Sequence, residues 1–386
     1  LQGLPIPKRM RWGGLPGEFV RPVHWLVILF GQEVVPVELL GVSSGKATRG
    51  HRFHHPDAIE VESAQSYVTQ LDTQGKVLVD MAVRKNTIRD QVTALAEKLG
   101  GQAVMNPDLL NEVTGLVEWP VALSGEYDRR FLELPAEALI SSMEEHQKYF
   151  AVRDNNGVLL PYFITICNIE SRDPAQVVAG NERVILPRLS DAAFFWETDR
   201  KRPLADRSEQ LKTIVFQHKL GTVFDKSNRV AQLAAVIAPQ IGGDSALAER
   251  AALLAKCDLV TEMVGEFPDL QGIIGKYYAI EEGHTLSFAN AIEDHYKPKF
   301  SGDDLPRDLL GDMLAIAEKI ETLISLFSIN EKPTGVKDPF GLRRNAIGFI
   351  RILIEKKIPL DILDLIATFF PSKKEKSLNE LVVFIN

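Results

Sequence analysis

The pattern of apolar and polar positions changes character near residue 205. Before it, short apolar runs bounded by turn residues alternate with segments in which apolar residues recur every three or four positions. Short runs favour strands, and the three-to-four spacing favours amphipathic helices. After it, only the helical spacing remains. The pattern therefore predicts an α+β chain, with a mixed α/β first part followed by an all-α second part.

Two apolar runs near the start predict a β-hairpin. PVHWLVILF (22–30) has the composition of a buried strand, and EVVPVELL (33–40) follows it after a Gly-Gln step. Proline cannot donate a hydrogen bond to a neighbouring strand, so Pro36 is expected at a sheet edge or a bulge. The segment 41–56 is predicted to be a loop from its composition.

The other elements follow from apolar spacing and from Gly-Gly pairs that stop helices. In the first part we predict helices over Ser63–Leu71, Lys76–Leu99 and Asn106–Leu116, and strands over 117–125 and 158–169. In the second part we predict helices over Arg229–Ile241, Leu247–Val264, Gln271–Ile280, Leu286–His295, Leu309–Phe327 and Asp338–Lys357. A linker is expected over 330–337 and a polar break at 373–376.

Composition excludes several classes of protein. The chain has 386 residues, 45% of them apolar and 25% charged, which is ordinary for a globular protein of two or three domains. The longest apolar run, Trp25 to Phe30, is far shorter than the roughly 20 residues that span a bilayer. The two cysteines form no CxxC pair and fit buried thiols in a reducing, cytoplasmic setting. The chain begins at Leu1 and ends after an apolar run, which suggests a fragment.

Charge is unevenly distributed along this acidic chain, whose net charge is −8. Residues 1–55 carry seven Lys/Arg and three Asp/Glu, whereas 244–321 carry seven and sixteen, and 331–386 carry ten and seven. Basic ends on an acidic chain permit a local site for a polyanion, although a charge excess is more often a solvated face.

Motifs that mark a catalytic centre are missing from the sequence. There is no Walker A or GxGxxG pattern, and spacing identifies no nucleophile with a base. We therefore expect no catalytic residues and no metal ligands in this chain.

Two basic segments are candidates for RNA contact. The loop TRGHRFHHP (48–56) groups arginines and histidines, which suit phosphates or stacked bases. A structural loop whose cations pair with local carboxylates is the slightly favoured interpretation, and a metal site is much weaker than either. In AGNERVILPRLSDAAFFWETDRKRPL (179–204), we expect Phe194, Phe195 and Trp196 in the core, with the arginines and lysine beside them open to phosphate.

The helical block 226–321 invites comparison with HD-type metal phosphohydrolases. In that fold a His, a His-Asp pair and a late Asp converge on metal ions that activate water. Here Lys226 occupies the first position, Lys256-Cys257-Asp258 replaces the pair, and Glu318 occupies the last. A protonated lysine is no metal ligand. We therefore expect a degenerate, metal-free HD-like domain, with an active hydrolase as the alternative.

The segment KDPFGLRR (337–344) predicts a helix start. Asp338 can cap the helix, and Pro339 suits its first turn. Arg343 and Arg344 would follow one turn later, either as solvated arginines or as tRNA backbone contacts.

Eight strings, taken together and in order, resemble the β subunit of bacterial tetrameric glycyl-tRNA synthetase. They are PIPKRMRWG (5–13), FVRPVHWLV (19–27), TRGHRFHHP (48–56), PAEALISSMEEHQKYF (135–150), NIESRDP (168–174), GNERVILPRLSDAAFFWETDRKRPL (180–204), LLAKCDLVTEMVGEFPDLQGIIG (253–275) and PTGVKDPFGLRR (333–344). The resemblance extends along nearly the whole chain, so it is far more specific than any single motif.

The resemblance implies a tRNA-handling subunit of a ligase. In that family the α subunit holds the active site that uses ATP with magnesium, and an α2β2 assembly glycylates tRNA(Gly). The implied domains are a mixed region similar to the B3/B4 part of phenylalanyl-tRNA synthetase (1–204), an HD-like helical domain (205–330) and the start of a further helical region (331–386). This chain would be a central part of the subunit, without the family's N-terminal start and C-terminal anticodon-binding domain.

The expected partners are the α subunit and tRNA(Gly), with no DNA, no membrane and no cofactor held by this chain itself. Candidate tRNA contacts, chosen from charge and loop position, are Arg9, Arg11, Arg49, Arg52, Arg200, Lys201, Arg202, Arg343 and Arg344.

Overall fold

The computed structural model describes residues 3–14, 17–369 and 375–385, and it confirms the α+β class. The strands are β1 (Met10–Arg11), β2 (Glu18–Phe19), β3 (Leu26–Val27), β4 (Leu29–Phe30), β5 (Glu33–Val34), β6 (Glu38–Leu39), β7 (Val42–Gly45), β8 (Ala47–Arg49), β9 (Ala58–Glu60), β10 (Gln102–Ala103), β11 (Val121–Glu126), β12 (Phe150–Arg153), β13 (Leu159–Cys167), β14 (Val215–Gln217) and β15 (Gly221–Thr222).

The helices are α1 (Tyr67–Thr73), α2 (Met81–Lys98), α3 (Pro107–Leu116), α4 (Ala136–Ser141), α5 (Pro174–Arg200), α6 (Val223–Gln240), α7 (Ser245–Leu254), α8 (Glu262–Glu266), α9 (Ile273–Glu281), α10 (Leu286–Asp294), α11 (Leu309–Ser328), α12 (Leu342–Glu355), α13 (Ile362–Phe369) and α14 (Glu375–Ile385). Single 3-10 or π turns join several of them. None of the described helices is long and apolar enough to cross a membrane.

The described residues form two compact units. The first lies within 1–132 and 143–187, and the second within 133–142 and 188–386. Helix α5 contributes to both, because the division follows Pro187 inside that helix. The domain limits expected from the sequence, 1–204, 205–330 and 331–386, stay a prediction.

The first unit has its core between two helices and an antiparallel sheet. The sheet has the order β10-β12-β13-β11, and α2 and α3 pack against it. The buried residues of this core are Ile88, Val92, Ala96, Leu109, Leu110, Val113, Val117, Phe150, Val152 and Ile164. Each large apolar side chain that leaves water here contributes about 1.5–3 kcal/mol to stability.

Local capping signals fix the ends of α2 and α3. The Asp80 carboxylate accepts hydrogen bonds from the backbone N–H groups of Ala82 (2.7 Å) and Val83 (3.0 Å), so α2 begins at Met81 rather than near Lys76. Asn106 caps α3 in the same way, as its position in the sequence predicted. These caps satisfy N–H groups that a helix start leaves without partners.

The predicted N-terminal hairpin forms, but its first strand is not buried. Leu29 pairs with Val34 and Phe30 with Glu33 across the turn. Phe30 is 82% exposed and Trp25 is 45% exposed. A two-residue strand beside a tight turn offers no second layer to cover these rings, so an apolar run alone did not determine burial. The segment 41–56 is also not a simple loop, because β7 and β8 lie within it.

The second unit is organised around α11. Almost every residue of this helix is buried, and it packs against α6, α10, α12 and α14. A helix that is buried all round must carry its polar side chains into the interior, where each needs a partner. This requirement explains the charged cluster described below.

Two sequence expectations for the second unit were wrong in detail. The part after residue 205 is not helical alone, because β14 and β15 form a small hairpin before the Thr222–Asp225 capping box that starts α6. The helix expected over Leu247–Val264 breaks after Leu254 and restarts as α8. Thr261 has an extended backbone (ψ 153°) and caps the new helix, which accounts for the restart.

The helix expected from Asp338 forms, but it begins later than predicted. Helix α12 starts at Leu342 with Gly341 as its N-cap, so Asp338 is not the N-cap and Pro339 lies before the first turn. The Asp338 carboxylate still accepts hydrogen bonds from the N–H groups of Leu342 (2.8 Å) and Arg343 (2.9 Å). The polar break at 373–376 lies partly outside the described residues.

Of the three aromatic residues expected in the core, Trp196 is buried, but Phe194 is 62% exposed because it faces away from the packed side of α5.

Candidate functional site

A cluster of buried charges lies where α6 meets α11. Lys226 on α6 is 4% exposed, and its Nζ lies 3.1 Å from Glu318 Oε1 and 2.7 Å from Glu321 Oε2. Lys256, after α7, lies 3.1 Å from the same Glu318 oxygen. The structure therefore brings together three of the positions that the comparison with HD-type enzymes singled out.

A histidine extends the cluster with a defined tautomer. His295 Nδ1 lies 2.6 Å from the carbonyl oxygen of Ile292, and its Nε2 lies 3.1 Å from Lys256 Nζ. The ammonium can only donate, so Nε2 accepts and the proton resides on Nδ1. Burial, followed by the charge of Lys256, holds the pKa of His295 well below its usual value, and the ring is neutral.

Two carboxyl groups in this region titrate in opposite directions. Burial alone would raise the pKa of Glu318, but the ammonium groups of Lys226 and Lys256 hold it well below its usual range. Burial raises the pKa of Asp258 to about 6, and hydrogen bonding from Gly272 N–H limits the rise. The Oδ1 atom of Asp258 is buried and has no hydrogen-bond partner among the residues that the structure describes.

The cluster does not fit a divalent metal ion. Both lysines direct a positive charge at Glu318, at the place where a metal would have to bind that carboxylate. Within the described ranges no three His, Cys, Asp or Glu side chains are grouped so that they could hold a metal. The ammonium groups compensate the buried carboxylates instead, and removing one member of such a network typically costs about 3–5 kcal/mol.

Arg9 and Arg11 lie at the start of the first unit on exposed backbone. Arg11 is in β1 and pairs with Glu18 of β2 at 2.6 Å, with both side chains largely in solvent. Arg9 is exposed and reaches toward the carbonyl oxygen of Leu4. Exposed pairs of this kind contribute little to stability, so both guanidinium groups could exchange their present contacts for a phosphate.

The loop around Arg49 and Arg52 is held from within by histidines. His51 is 1% exposed, and its Nδ1 accepts from the N–H groups of Phe53 and His54 at 3.3 Å. Arg49 donates to the carbonyl oxygen of Pro56 (3.1 Å). Arg52 stays exposed, 5.8 Å from the centre of the Phe53 ring. The histidines are thus structural, and Arg52 with Phe53 forms the outward face.

Arg200, Lys201 and Arg202 lie together at the end of α5 but in an acidic setting. Arg200 pairs with Glu281 and lies 5.5 Å from the Trp196 ring, while Arg202 donates to the backbone of Asp206. Arg200 and Lys201 line a cleft whose four carboxylates are Glu197, Asp199, Glu281 and Glu282. A phosphate at this cleft would meet repulsion from these carboxylates.

Arg343 and Arg344 lie in the first turn of α12, and both are exposed. Arg344 donates to the carbonyl oxygen of Lys299 (3.3 Å), and Arg344 and Lys299 border one cavity. The nine candidate cations therefore form four local groups: two in the first unit, two in the second.

Sequence reasoning missed Glu321, His295 and Lys319. For Lys319 and Glu321 a signal was present, because both interrupt an apolar helix in which a charged side chain has to be buried. Spacing along the chain could not reveal which lysine each carboxylate binds.

Comparison with known families identifies one match. A family model described as "Glycyl-tRNA synthetase beta subunit" matches residues 1–386. The agreement extends over the entire sequence and is independent of any single motif.

Curated relatives agree with the family model. The chain is 58% identical over 363 residues to the glycine–tRNA ligase beta subunit of Marinobacter nauticus, covering 94% of this chain and 52% of that protein. It is 55% identical to the corresponding protein of Hahella chejuensis (94% and 53% covered) and 54% identical to that of Chromohalobacter salexigens (95% and 53% covered). The chain spans about half the length of the curated relatives it matches.

Proposed function

The chain belongs to the glycyl-tRNA synthetase beta subunit family, and from this we propose that it acts in the ATP-dependent attachment of glycine to tRNA(Gly). The observation that carries the proposal is the family match along residues 1–386, supported by relatives more than 50% identical that are named glycine–tRNA ligase beta subunits. We further propose an α2β2 assembly in the cytoplasm.

Within that assembly, this chain would position tRNA rather than perform the chemistry. The α subunit would use ATP with magnesium to activate glycine, and this chain would hold the tRNA in place for transfer. Holding the reacting ends together can supply a large part of catalysis without any reacting group. Arginine and lysine contacts to phosphate would provide affinity, whereas contacts to bases would provide specificity.

Solvent exposure and the charge of neighbouring groups favour some candidate tRNA contacts over others. Arg52 and Arg343 are exposed, and neither is among the residues that line the acidic cleft beside Arg200 and Lys201. The remaining candidates, Arg9, Arg11, Arg49, Arg202 and Arg344, have present partners that are mostly backbone oxygens or exposed carboxylates. We propose the groups around Arg52 and Arg343 as the principal phosphate contacts.

We propose that the first unit is B3/B4-like and that the helical block is a degenerate HD-like domain. The convergence of Lys226, Lys256 and Glu318 supports the second assignment, since these residues occupy the positions of metal ligands in sequence order. Their ion pairs leave the alternative, a metal-dependent phosphohydrolase, without a suitable set of ligands.

Co-elution with the partner subunit tests the proposed function. This chain and the glycyl-tRNA synthetase α subunit would be mixed, with and without tRNA(Gly), and analysed by size-exclusion chromatography with light scattering. We expect a complex whose mass includes both chains and which retains tRNA(Gly) better than an unrelated tRNA.

A folded chain that joins neither the α subunit nor tRNA(Gly) would contradict the proposal. Circular dichroism of the same sample gives the control for folding. A complex with the α subunit but without tRNA would restrict the role of this part of the chain to assembly.

A further inference from the structure

Lys319 of α11 is a buried cation that has no ion-pair partner within the part of the chain that the structure describes. Its side chain is 3% exposed, and Nζ donates to the backbone oxygen of Tyr296 at 3.2 Å. Among the described residues, no carboxylate lies within 4 Å of this ammonium, in contrast to the ion-paired Lys226 and Lys256. Burying an unpaired charge is costly, so a buried ammonium calls for an anion.

The fold makes room for this side chain. Gly348 of α12 faces the stem of Lys319, and a Cβ atom at that position would lie 2.9 Å from Lys319 Cε. Any larger residue would push the lysine aside. The absence of a side chain at Gly348 thus lets Lys319 reach the cavity between α11 and the start of α12.

That cavity is rich in positive charge and hydrogen-bond donors. It has a volume of about 500 Å³, and its polar lining includes Lys299, Lys319, Arg344, Asn345 and Tyr296. The Tyr296 hydroxyl is buried and has no hydrogen-bond partner in the described part of the chain. Asp269 is the one carboxylate among the lining residues, which leaves three cations against one anion.

The backbone N–H groups at the start of helix α12 do not themselves supply the anion site. The carboxylate of Asp338 already accepts from the N–H groups of Leu342 and Arg343. The capacity to bind an anion therefore comes from side chains, above all from Lys319, which is buried, and Arg344, which is exposed. Burial lowers the pKa of Lys319 to about 8, so the ammonium is still charged at neutral pH.

We propose that this cavity binds a phosphate group, supplied by the backbone of the bound tRNA. An arginine fork with a lysine point charge is the pair of side chains that phosphate recognition uses most. That RNA supplies this phosphate group rests on the proposed function. A free mononucleotide would offer the same phosphate chemistry and is the other source to be distinguished.

The experiment uses inorganic phosphate, AMP and tRNA(Gly) as probes of the 386-residue chain. Calorimetric titration would measure affinity for wild type, Arg344→Ala and Lys319→Met, with Lys337→Ala as the control, since Lys337 is an exposed cation near α12 that does not line the cavity. Circular dichroism and thermal unfolding would verify folding. Arg344 is exposed, so its variant remains informative even if Lys319→Met fails to fold.

We expect saturable phosphate binding by the wild type and by Lys337→Ala. Arg344→Ala should weaken it about tenfold, because a hydrogen bond to a charged group is lost, and Lys319→Met should abolish it. tRNA(Gly) should compete with phosphate and lose affinity in the same two variants.

Other results would overturn the inference in distinguishable ways. No saturable phosphate binding, or equal binding by Arg344→Ala and wild type, refutes the phosphate site. Competition by AMP but not by tRNA(Gly) refutes RNA as the source. If the chain binds phosphate but no tRNA at all, the phosphate site stands and the proposed function fails. If the chain binds tRNA but no phosphate, the phosphate site fails and the proposed function stands.

Discussion

At the scale of single residues, the burial of Asp258 makes the stability of the fold depend on pH. Its carboxyl is fully enclosed, and burial raises its pKa to about 6, whereas an unfolded aspartate titrates near 4. The folded chain therefore binds a proton more tightly than the unfolded chain at this site. The contribution of Asp258 to stability falls as the pH rises from about 4 to about 6.

Replacing Asp258 with Asn should remove this dependence. The free energy of unfolding of Asp258→Asn, measured relative to wild type, should increase by about 1–3 kcal/mol between about pH 4.5 and about pH 7. Urea denaturation followed by circular dichroism would measure it. Asp90→Asn makes the same chemical change at an exposed site of α2 and provides the control for the substitution itself. A difference for Asp258→Asn that does not change with pH would show that the pKa of Asp258 is unchanged by folding.

Glu318 illustrates the opposite response at the same scale. Its low pKa arises from two ammonium groups that surround it, so its ionisation stabilises the folded chain at neutral pH and is lost in acid. These two buried carboxylates thus respond to pH in opposite directions, because Glu318 faces cations and Asp258 mainly faces backbone.

At the scale of elements, capping side chains determine where helices begin. The N-cap of α2 is Asp80, with two hydrogen bonds to backbone N–H groups. We expect Asp80→Ala to lower the free energy of unfolding by about 1 kcal/mol, because these donors then lose their acceptor. Asp80→Asn keeps an acceptor and should lie within a few tenths of wild type. Urea denaturation of the three proteins tests this, and equal losses for both variants would show that charge, and not the cap, matters.

Element boundaries were predictable where such a signal was local. Asn106 marked the start of α3, and the Gly-Gly pair at 100–101 marked the end of α2, where Gly100 has a positive φ of 82°. The break after Leu254 was not predictable, because the following segment depends on the Asp258 carboxylate accepting a hydrogen bond from the Gly272 N–H in the folded unit. Periodicity over 247–264 continued through the break and gave no warning of it.

At the scale of the whole molecule, the uneven charge predicts salt-dependent RNA binding. The chain is acidic overall, so non-specific attraction to RNA should be weak and local cations should dominate. Each phosphate contact adds about 0.9 to the slope of log affinity against log salt on a duplex.

The double variant Arg52→Ala/Arg343→Ala should therefore reduce that slope by about 2 for tRNA(Gly). Lys98→Ala, an exposed cation outside the candidate groups, should leave the slope unchanged. Fluorescence titrations at several salt concentrations would measure both. An unaltered slope in the double variant would remove Arg52 and Arg343 from the proposed interface.

The sequence by itself determined the fold class, most element types and the family. It did so because helix periodicity, caps and turn residues act over a few positions, and because eight motifs kept their order along the chain. It also indicated that Lys226, Lys256 and Glu318 occupy related positions in the helical block.

Only the tertiary structure decided which apolar residues are buried and which charges meet. Phe30 and Phe194 have apolar surroundings in the sequence but are exposed, since burial depends on elements far along the chain. Glu318 is ion-paired, whereas Lys319, one position later, donates to the backbone oxygen of Tyr296, because successive residues of a helix point in different directions. That direction, together with what the neighbouring helices present to it, is a property of the packed structure.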